Sequence, residues 1–184
     1  DYVLKYTPGN TVSNLSSSRA LKDVTEAYGQ QYHAAAVGEV NVVAEMKRTH
    51  SVIGGEGNGG VIYPESHYGR DALVGVGLFL SHYVAQSKKM TELKSTYPPY
   101  FISKNKMTLS PDMDVDKILE GLKERYATEK VTDIDGVKID FAQGWVHLRK
   151  SNTEPIIRIY SEAKDEAAAN QLAEEVIAAA KSTL

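Results

Sequence analysis

Two adjacent prolines, Pro98 and Pro99, divide the chain into two segments whose hydrophobic patterns differ. Proline lacks a backbone N–H and disfavours helical conformation in the residue before it, so the pair ends a preceding helix and favours an extended linker. Before the prolines, short apolar runs alternate with helical patterns. After them, strand-like runs follow one another with turn residues between. The sequence therefore predicts two domains, over residues 1–95 and 96–184.

The first segment has the pattern of an α/β domain with a mixed sheet. Strand-like runs lie at 12–15, 51–53 and 61–63, and helical patterns at 19–28 and 40–46. A longer apolar stretch from Gly69 to about Lys89 has helical spacing but is too short and interrupted to cross a membrane. We expect it to be the buried helix of this domain, with an apolar face made of Leu73, Val76, Leu80 and Val84.

The second segment predicts an α+β domain, a mostly antiparallel sheet with helices on one face. Asp114 and Asp165 each precede a helical pattern and are expected to cap it. Asp135-Gly136 and Gln143-Gly144 are expected to form hairpin turns. The strands are expected at 131–134, 137–141, 145–148 and 156–160.

Composition excludes several classes of function. The 184 residues carry a formal net charge of −3, which argues against general nucleic-acid binding. There is no cysteine, which rules out thiolate catalysis and fits a cytoplasmic protein. The five histidines have no metal-ligand spacing, so no metal site is expected in this chain, and no membrane association is expected either. The opening residues have the pattern of a helix already under way, and we expect the chain to be part of a longer protein.

The stretch Ile53-Gly54-Gly55-Glu56-Gly57-Asn58-Gly59-Gly60-Val61-Ile62 contains a G-x-G-x-x-G match to the dinucleotide fingerprint. That motif needs a helix after the glycines, and a strand-like run follows here instead, so the nucleotide interpretation fails. Two interpretations remain. The glycines satisfy positive φ in a hairpin around Asn58-Gly59, or they clear space around Glu56, whose carboxylate suits vicinal hydroxyls of a sugar.

A basic loop spans Arg149-Lys150-Ser151-Asn152-Thr153-Glu154-Pro155, and Arg158 follows shortly after it. Three cationic side chains, two hydroxyls and the N–H groups of a turn are suited to a phosphate. The alternative is an ordinary solvated polar turn. The residues alone leave this choice open.

These two stretches together resemble a known family. Gly144-Trp145 followed by Arg149-Lys150-Ser151-Asn152-Thr153-Glu154-Pro155 resembles the phosphate-binding loop of the α-D-phosphohexomutases. Gly55-Glu56-Gly57-Asn58-Gly59 resembles the sugar-binding loop of the same family, and the two motifs occur in the family's order. The resemblance covers nearly the whole chain and implies the third and fourth of the family's four domains.

The resemblance also implies residue roles. Glu56, Gly57, Asn58 and Gly59 would contact the sugar, and Arg149, Ser151, Asn152, Thr153 and Arg158 would hold the substrate's phosphate. Position 58 is Asn where the family has Ser, and position 60 is Gly where many members carry His.

The parent enzyme implied by the resemblance interconverts hexose 1-phosphate and hexose 6-phosphate through a phosphoserine and a hexose 1,6-bisphosphate intermediate. The phosphoserine and the Mg²⁺ loop belong to the N-terminal domains, so these two domains alone are expected to be inactive. Ser151-Asn152-Thr153 favours the phosphomannomutase/phosphoglucomutase type, with phosphoglucosamine mutase next. A non-catalytic sugar-phosphate or anion-binding module is the alternative.

Overall fold

The computed structural model describes residues 1–110, 113–151 and 153–182, and the chain divides into two units, Asp1–Pro98 and Pro99–Leu184. The first unit has a four-stranded sheet in the order β2-β1-β3-β4. β1, β2 and β3 are parallel and β4 is antiparallel to β3, so the predicted mixed α/β sheet is confirmed. Its elements are α1 Tyr2–Tyr6, β1 Thr11–Asn14, α2 Ala20–Ala27, β2 Tyr32–Ala35, α3 Glu39–Thr49, β3 Ile53–Glu56, β4 Gly60–Ile62, α4 Ala72–Gln86 and α5 Met90–Lys94.

A small apolar core holds this sheet to helix α3. Val42 and Met46 of α3 are fully buried and cluster with Val12 of β1 and Ile62 of β4. Because β1 and β3 are parallel neighbours, their carboxyl ends, Asn14 and Glu56, lie at the same edge of the sheet. That edge is where open α/β sheets commonly bind ligands.

Helix α4 contradicts the prediction that it would be the buried helix of the first unit. It begins as expected at a cap, since Asp71 Oδ1 accepts hydrogen bonds from the N–H groups of Leu73 and Val74. However, Leu73 is 83% exposed and Val84 is 73% exposed, whereas only His82 of the helix is buried. Helical periodicity shows that a helix is apolar, but it does not show what covers it. Among the described residues, no helix combines the length and apolar character needed to span a membrane.

The second unit is a five-stranded, fully antiparallel sheet in the order β5-β9-β8-β7-β6. Asp114 and Asp165 cap its two helices through their carboxylates, as predicted. Both helices contribute to one apolar core with alternate residues of the strands, including Leu148 and Ile159, so the predicted α+β class is confirmed. Its elements are β5 Phe101–Thr108, α6 Val115–Arg125, β6 Lys130–Thr132, β7 Val137–Asp140, β8 Gly144–Lys150, β9 Ile156–Ala163 and α7 Glu166–Lys181.

The contrast between the core and the apolar face of α4 is testable. Ile62→Ala should lower the free energy of unfolding by about 2–5 kcal/mol, because it leaves a cavity in the core. Leu73→Gln should change it by less than about 0.5 kcal/mol, because that side chain is already in solvent. Urea denaturation followed by circular dichroism measures both. A large loss for Leu73→Gln would show that the α4 face is packed within this chain.

Candidate functional site

The glycine stretch forms a β-hairpin between β3 and β4. Glu56 pairs with Gly60 across the two strands, and Gly59 in the turn has a φ of +94°. Asn58 closes the turn, because its Oδ1 accepts a hydrogen bond from the N–H of Gly60 at 3.1 Å. The predicted hairpin with positive φ at the Asn58-Gly59 turn is therefore confirmed. It leaves Glu56 as the last residue of β3, at the carboxyl edge of the parallel strands.

The carboxylate of Glu56 is held by three donors from three separate segments of the first unit. Its Oε1 accepts hydrogen bonds from Asn14 Nδ2 at 3.0 Å and from the backbone N–H of Gly38 at 3.2 Å. Its Oε2 lies 3.2 Å from a terminal nitrogen of the Arg70 guanidinium. The side chain is only 5% exposed. The carboxylate is thus fixed in one orientation before any ligand arrives.

Two cavities border the hairpin. One of about 290 Å³ is lined by Ser13, Ser17 and the segment Gly54–Gly57, including Glu56. Ser17 is held there by its hydroxyl, which donates to Asn14 Oδ1 at 2.8 Å. The other cavity, of about 480 Å³, is lined by Asn58, Gly59, Gly60, Arg70, Asp71, Ala72 and Glu39. Both volumes are of the size that holds a monosaccharide or a small ligand group.

The glycines beside Glu56 serve the packing of the hairpin itself. A Cβ built on Gly55 would lie 2.3 Å from the carbonyl oxygen of Gly60, whereas one on Gly59 would meet nothing within 4 Å. The second interpretation from the sequence was that the glycines clear space around Glu56. In the structure, Gly59 borders open space on both cavities, and Gly55 lets the two strands of the hairpin approach.

The basic loop of the second unit connects β8 to β9. The N–H of Ser151 donates to the carbonyl of Ile156 at 3.0 Å, which closes the loop at its base. The Ser151 hydroxyl lies 3.4 Å from both the hydroxyl and the N–H of Thr153, so these polar groups converge. Asn152, which was predicted to bind phosphate, lies outside the described residues. The loop therefore places Ser151 and Thr153 next to the end of the strand that carries Arg149.

Strand pairing brings three cations into one row on the sheet. Arg149 of β8 is directly opposite Arg158 of β9, and Arg158 is directly opposite Lys106 of β5. Directly opposed residues share one face, and like charges so placed repel one another. Two carboxylates relieve part of this repulsion: Glu154 pairs with Arg158 at 3.3 Å, and Asp135 lies 3.4 Å from Arg149 Nε. Three cations with two carboxylates leave the row with a net positive charge beside a loop of hydroxyl groups.

The turn between β6 and β7 presents Asp135 to Arg149. Gly136 has a φ of +68°, and a Cβ there would lie 2.1 Å from the carbonyl oxygen of Leu148, so the turn lies directly on β8. The buried His147 fixes it further, since its Nε2 lies 2.7 Å from the carbonyl oxygen of Asp135 and donates to it. Arg149 Nε is buried without a hydrogen bond, because its contact with Asp135 has the distance of an ion pair but not hydrogen-bond geometry. The charge of Asp135 therefore attracts this nitrogen without a hydrogen bond to it.

Comparison with known families follows the division into two units. The model of the phosphoglucomutase/phosphomannomutase α/β/α domain III matches residues 1–100, and that of the phosphoglucomutase/phosphomannomutase C-terminal domain matches residues 104–179. The chain belongs to the phosphoglucomutase/phosphomannomutase family. Its resemblance to the phosphohexomutases is thereby confirmed.

Two members of the phosphoglucomutase/phosphomannomutase family show what share of a relative's length this chain matches. It is 36% identical over 167 residues to a phosphoglucosamine/phosphogalactosamine mutase of Sulfurisphaera tokodaii, covering 90% of this chain and 37% of that one. It is 36% identical over 177 residues to a phosphoglucomutase/phosphomannomutase of Thermococcus kodakarensis, covering 95% and 38%. The chain therefore spans less than two fifths of the length of these two relatives.

Solved structures show the same fold. A phosphoglucomutase/phosphomannomutase family protein of Burkholderia thailandensis superposes with a TM-score of 0.79 at 23% identity, covering 98% of this chain and 39% of that chain. The N-acetylphosphoglucosamine mutase of Aspergillus fumigatus, solved in complex with GlcNAc-6P and magnesium, superposes with a TM-score of 0.60 at 15% identity, covering 93% and 41%. At these identities the likeness establishes the fold alone. Within the part of this chain that the structure describes, no three His, Cys, Asp or Glu side chains are grouped to hold a metal ion.

The structure adds residues that the two motifs did not contain. Around Glu56 these are Asn14, Gly38 and Arg70, and their contacts come from strands and loops distant in sequence. Beside the basic loop they are Lys106 and Asp135. The sequence signals were Asn14 at a strand end, the Asp135-Gly136 turn, and Gly69-Arg70-Asp71, which resembles the family and follows the sugar loop closely. The register that aligns Lys106 with Arg158 is not readable from one chain.

The buried His147 makes the second unit sensitive to acid. Burial lowers the pKa of His147 from 6.5 to about 4, against a smaller opposite effect of its hydrogen bond to Asp135. The unfolded chain therefore takes up this proton first, so stability is full above about pH 6.5 and falls as the pH approaches 4. A shift of this size corresponds to roughly 3 kcal/mol. His147→Gln, which keeps an N–H donor, should remove this part of the pH dependence.

Trp145, the single tryptophan, lies in the same unit and reports its unfolding by fluorescence. Urea denaturation at pH 7 and at pH 4.5, in the wild type and in His147→Gln, measures the difference. Equal losses of stability on acidification in both proteins would contradict this assignment to His147.

Proposed function

We propose that this chain is the substrate-recognition half of a phosphohexomutase that interconverts hexose 1-phosphate and hexose 6-phosphate through a phosphoserine enzyme and a bisphosphate intermediate. The observation that carries the proposal is that this member of the family has two sites, each of which suits one part of a hexose phosphate. The first unit presents a fixed carboxylate suited to sugar hydroxyls, and the second presents a row of cations suited to a phosphate.

At the sugar loop, Glu56 accepts a hydrogen bond from a hydroxyl group of the hexose. Its Oε1 already accepts from Asn14 and Gly38, whereas Oε2, which contacts Arg70, has a second acceptor site for the hydroxyl. Asn58, beside the second cavity, supplies an amide, and Gly59 leaves its backbone open to the sugar. Gly57 borders the first cavity and lets the hairpin pack on the backbone of Ser16 and Ser17. Because these groups are in place before binding, little ordering entropy is lost when the sugar arrives.

At the basic loop, the non-reacting phosphate takes the position between the Arg149–Arg158 pair and the hydroxyls of Ser151 and Thr153. Asn152, in the same loop, is proposed to complete the set. A phosphate dianion there removes the repulsion between two opposed arginines while accepting charge-assisted hydrogen bonds from them. When the bisphosphate intermediate reorients, its 1-phosphate and 6-phosphate exchange places. The site must therefore bind either phosphate, and a row of cations can do so.

Lys106 extends this phosphate site by one strand. It is exposed, it lies on the same face as Arg158 and directly opposite it, and neighbouring strands are about 4.8 Å apart. A lysine side chain spans that distance, so the ammonium group of Lys106 supplies the phosphate site with a third positive charge.

The remaining chemistry is proposed to belong to domains outside this chain, as the lengths of its relatives indicate. These domains would carry the phosphoserine and the Mg²⁺ that neutralises charge on the transferring phosphoryl group. Within the described ranges, no group of three His, Cys, Asp or Glu side chains is placed to hold a metal ion. The exposed apolar face of α4 is a suitable surface for such a domain to cover. A cytoplasmic location is proposed with this activity.

The decisive experiment is a substrate panel on the full-length protein, with glucose, mannose and glucosamine 1-phosphates and catalytic hexose 1,6-bisphosphate. We expect conversion to the 6-phosphates, with mannose or glucose preferred over glucosamine. The 184-residue chain alone should bind these sugars weakly and show no turnover. Turnover by the isolated chain, or none by the full-length protein with any sugar, would contradict the proposal.

Alanine substitutions in the cation row test the phosphate site. In the 184-residue chain, Arg149→Ala should weaken binding of glucose 1-phosphate by about 10-fold to 100-fold, as expected for loss of one charge-assisted hydrogen bond. Lys106→Ala should weaken it by roughly threefold to tenfold, since the ammonium adds a single exposed charge. Titration followed by NMR chemical shifts measures both.

Lys104→Ala is the matched control for Lys106→Ala. Lys104 is an exposed lysine on the same face of the same strand, but it pairs with Tyr160 rather than with Arg158. Its removal should change the affinity by less than about twofold, because salt screens the charge of an exposed lysine that is not next to the phosphate. Equal effects of Lys104→Ala and Lys106→Ala would show that the field of the whole face, not the row, attracts the anion.

A further inference from the structure

We propose that Arg70 is a positioning residue that fixes the carboxylate of Glu56, and that the glycine at position 60 is what allows Arg70 to do so. Arg70 lies eight positions beyond Ile62, where the hairpin ends, and outside both sequence motifs. The inference deepens the proposed function, on which it rests only for the statement that Glu56 contacts a sugar.

The backbone brings Arg70 back to the hairpin. Arg70 forms an antiparallel bridge with Ile62 of β4, and the next residue, Asp71, donates its N–H to the carbonyl of Val61 at 2.9 Å. Asp71 then caps helix α4 through its carboxylate. Arg70 is therefore placed by two fixed elements, the sheet and the start of a helix, rather than by a free loop.

Gly60 leaves the space that the Arg70 side chain occupies. A Cβ built on Gly60 would lie 2.5 Å from Cδ of Arg70 and 3.0 Å from its Cγ. Real Cβ atoms do not approach other carbons so closely, so any side chain at position 60 would displace the arginine stem. The glycine at position 60 is therefore needed for the Arg70 side chain to reach Glu56.

The guanidinium of Arg70 bridges two carboxylates. Its Nε donates to Glu39 Oε2 at 2.8 Å, and its backbone N–H donates to Glu39 Oε1 at 3.1 Å. A terminal nitrogen lies 3.2 Å from Glu56 Oε2. The hydrogen bond and the charge of Glu39, and then the charge of Glu56, raise the pKa of Arg70. Glu39 itself lies in the first turn of α3. Glu39 therefore anchors the fork so that its other arm faces Glu56.

Arg70 completes the set of donors around Glu56. Asn14 and Gly38 both bind Oε1, and Arg70 is the donor beside Oε2. Without it, the contacts that the described residues make to the carboxylate remain on Oε1, and the group can rotate about its last bond. A lysine has the charge but not the planar fork, so it cannot hold the two carboxylates in the fixed geometry that the guanidinium sets. Arg70 is itself 46% exposed, so its removal leaves no buried cavity.

The N–H of Gly38 reports the placement of Glu56 directly, because it donates to Oε1. In ¹⁵N-resolved NMR spectra of the 184-residue chain, Arg70→Met should shift the signals of the Gly38 amide and the Asn14 side-chain amide towards those of Glu56→Ala. Arg70→Lys should give an intermediate shift, and Gly60→Ala should resemble Arg70→Met. The matched control is Arg48→Met, which removes another exposed arginine that pairs with a glutamate, Glu45, away from the hairpin.

Binding of glucose 1-phosphate, titrated in the same samples, links placement to recognition. Arg70→Met should weaken it by about tenfold and Arg70→Lys by less, whereas Arg48→Met should leave it unchanged. Unchanged Gly38 and Asn14 signals in Arg70→Met would overturn the proposal, as would equal effects of Arg70→Met and Arg48→Met. Shifted signals in a chain whose wild type binds no hexose phosphate would support the positioning role and refute the proposed function instead.

Discussion

In the second unit, the pairing of β8 with β9 sets which side chains face the helices and which face away from them. Leu148 and Ile159 pair on the helix side, and the next pair, Arg149 and Arg158, lies on the opposite side. Slipping the register by one residue would bury the arginines under α6 and α7 and expose the core. The apolar core therefore enforces the position of the cations, and the phosphate site depends on the same hydrophobic burial that folds the unit.

Both candidate sites hold charged groups in place with partners that are not themselves expected to touch the ligand. Glu56 is held by Asn14, Gly38 and Arg70. Arg149 is paired with Asp135, and the turn that carries Asp135 is held in place by His147 and Gly136. Such groups lose little freedom on binding, and that is a direct source of affinity. The arrangement also explains why substitutions several residues away from a motif are expected to weaken recognition.

Helix α4 illustrates a limit of hydrophobic patterns. Its residues have the composition of a buried helix, yet Leu73 and Val84 are largely exposed in this chain. The relatives from Sulfurisphaera tokodaii and Thermococcus kodakarensis are both more than twice as long as this chain. An exposed apolar face of this kind marks a surface suited to contact with another domain or chain.

The sequence by itself determined the two fold classes, the caps at Asp114 and Asp165, the hairpin at Asn58-Gly59 and the family, because these follow from local chemistry: periodicity, side-chain capping, positive φ and contiguous motifs. Tertiary structure alone decided that Arg70 reaches Glu56, that Lys106 joins the arginine row and that α4 is exposed. These features depend on strand register and on contacts between residues distant in the chain, which carry no local signature in a single sequence.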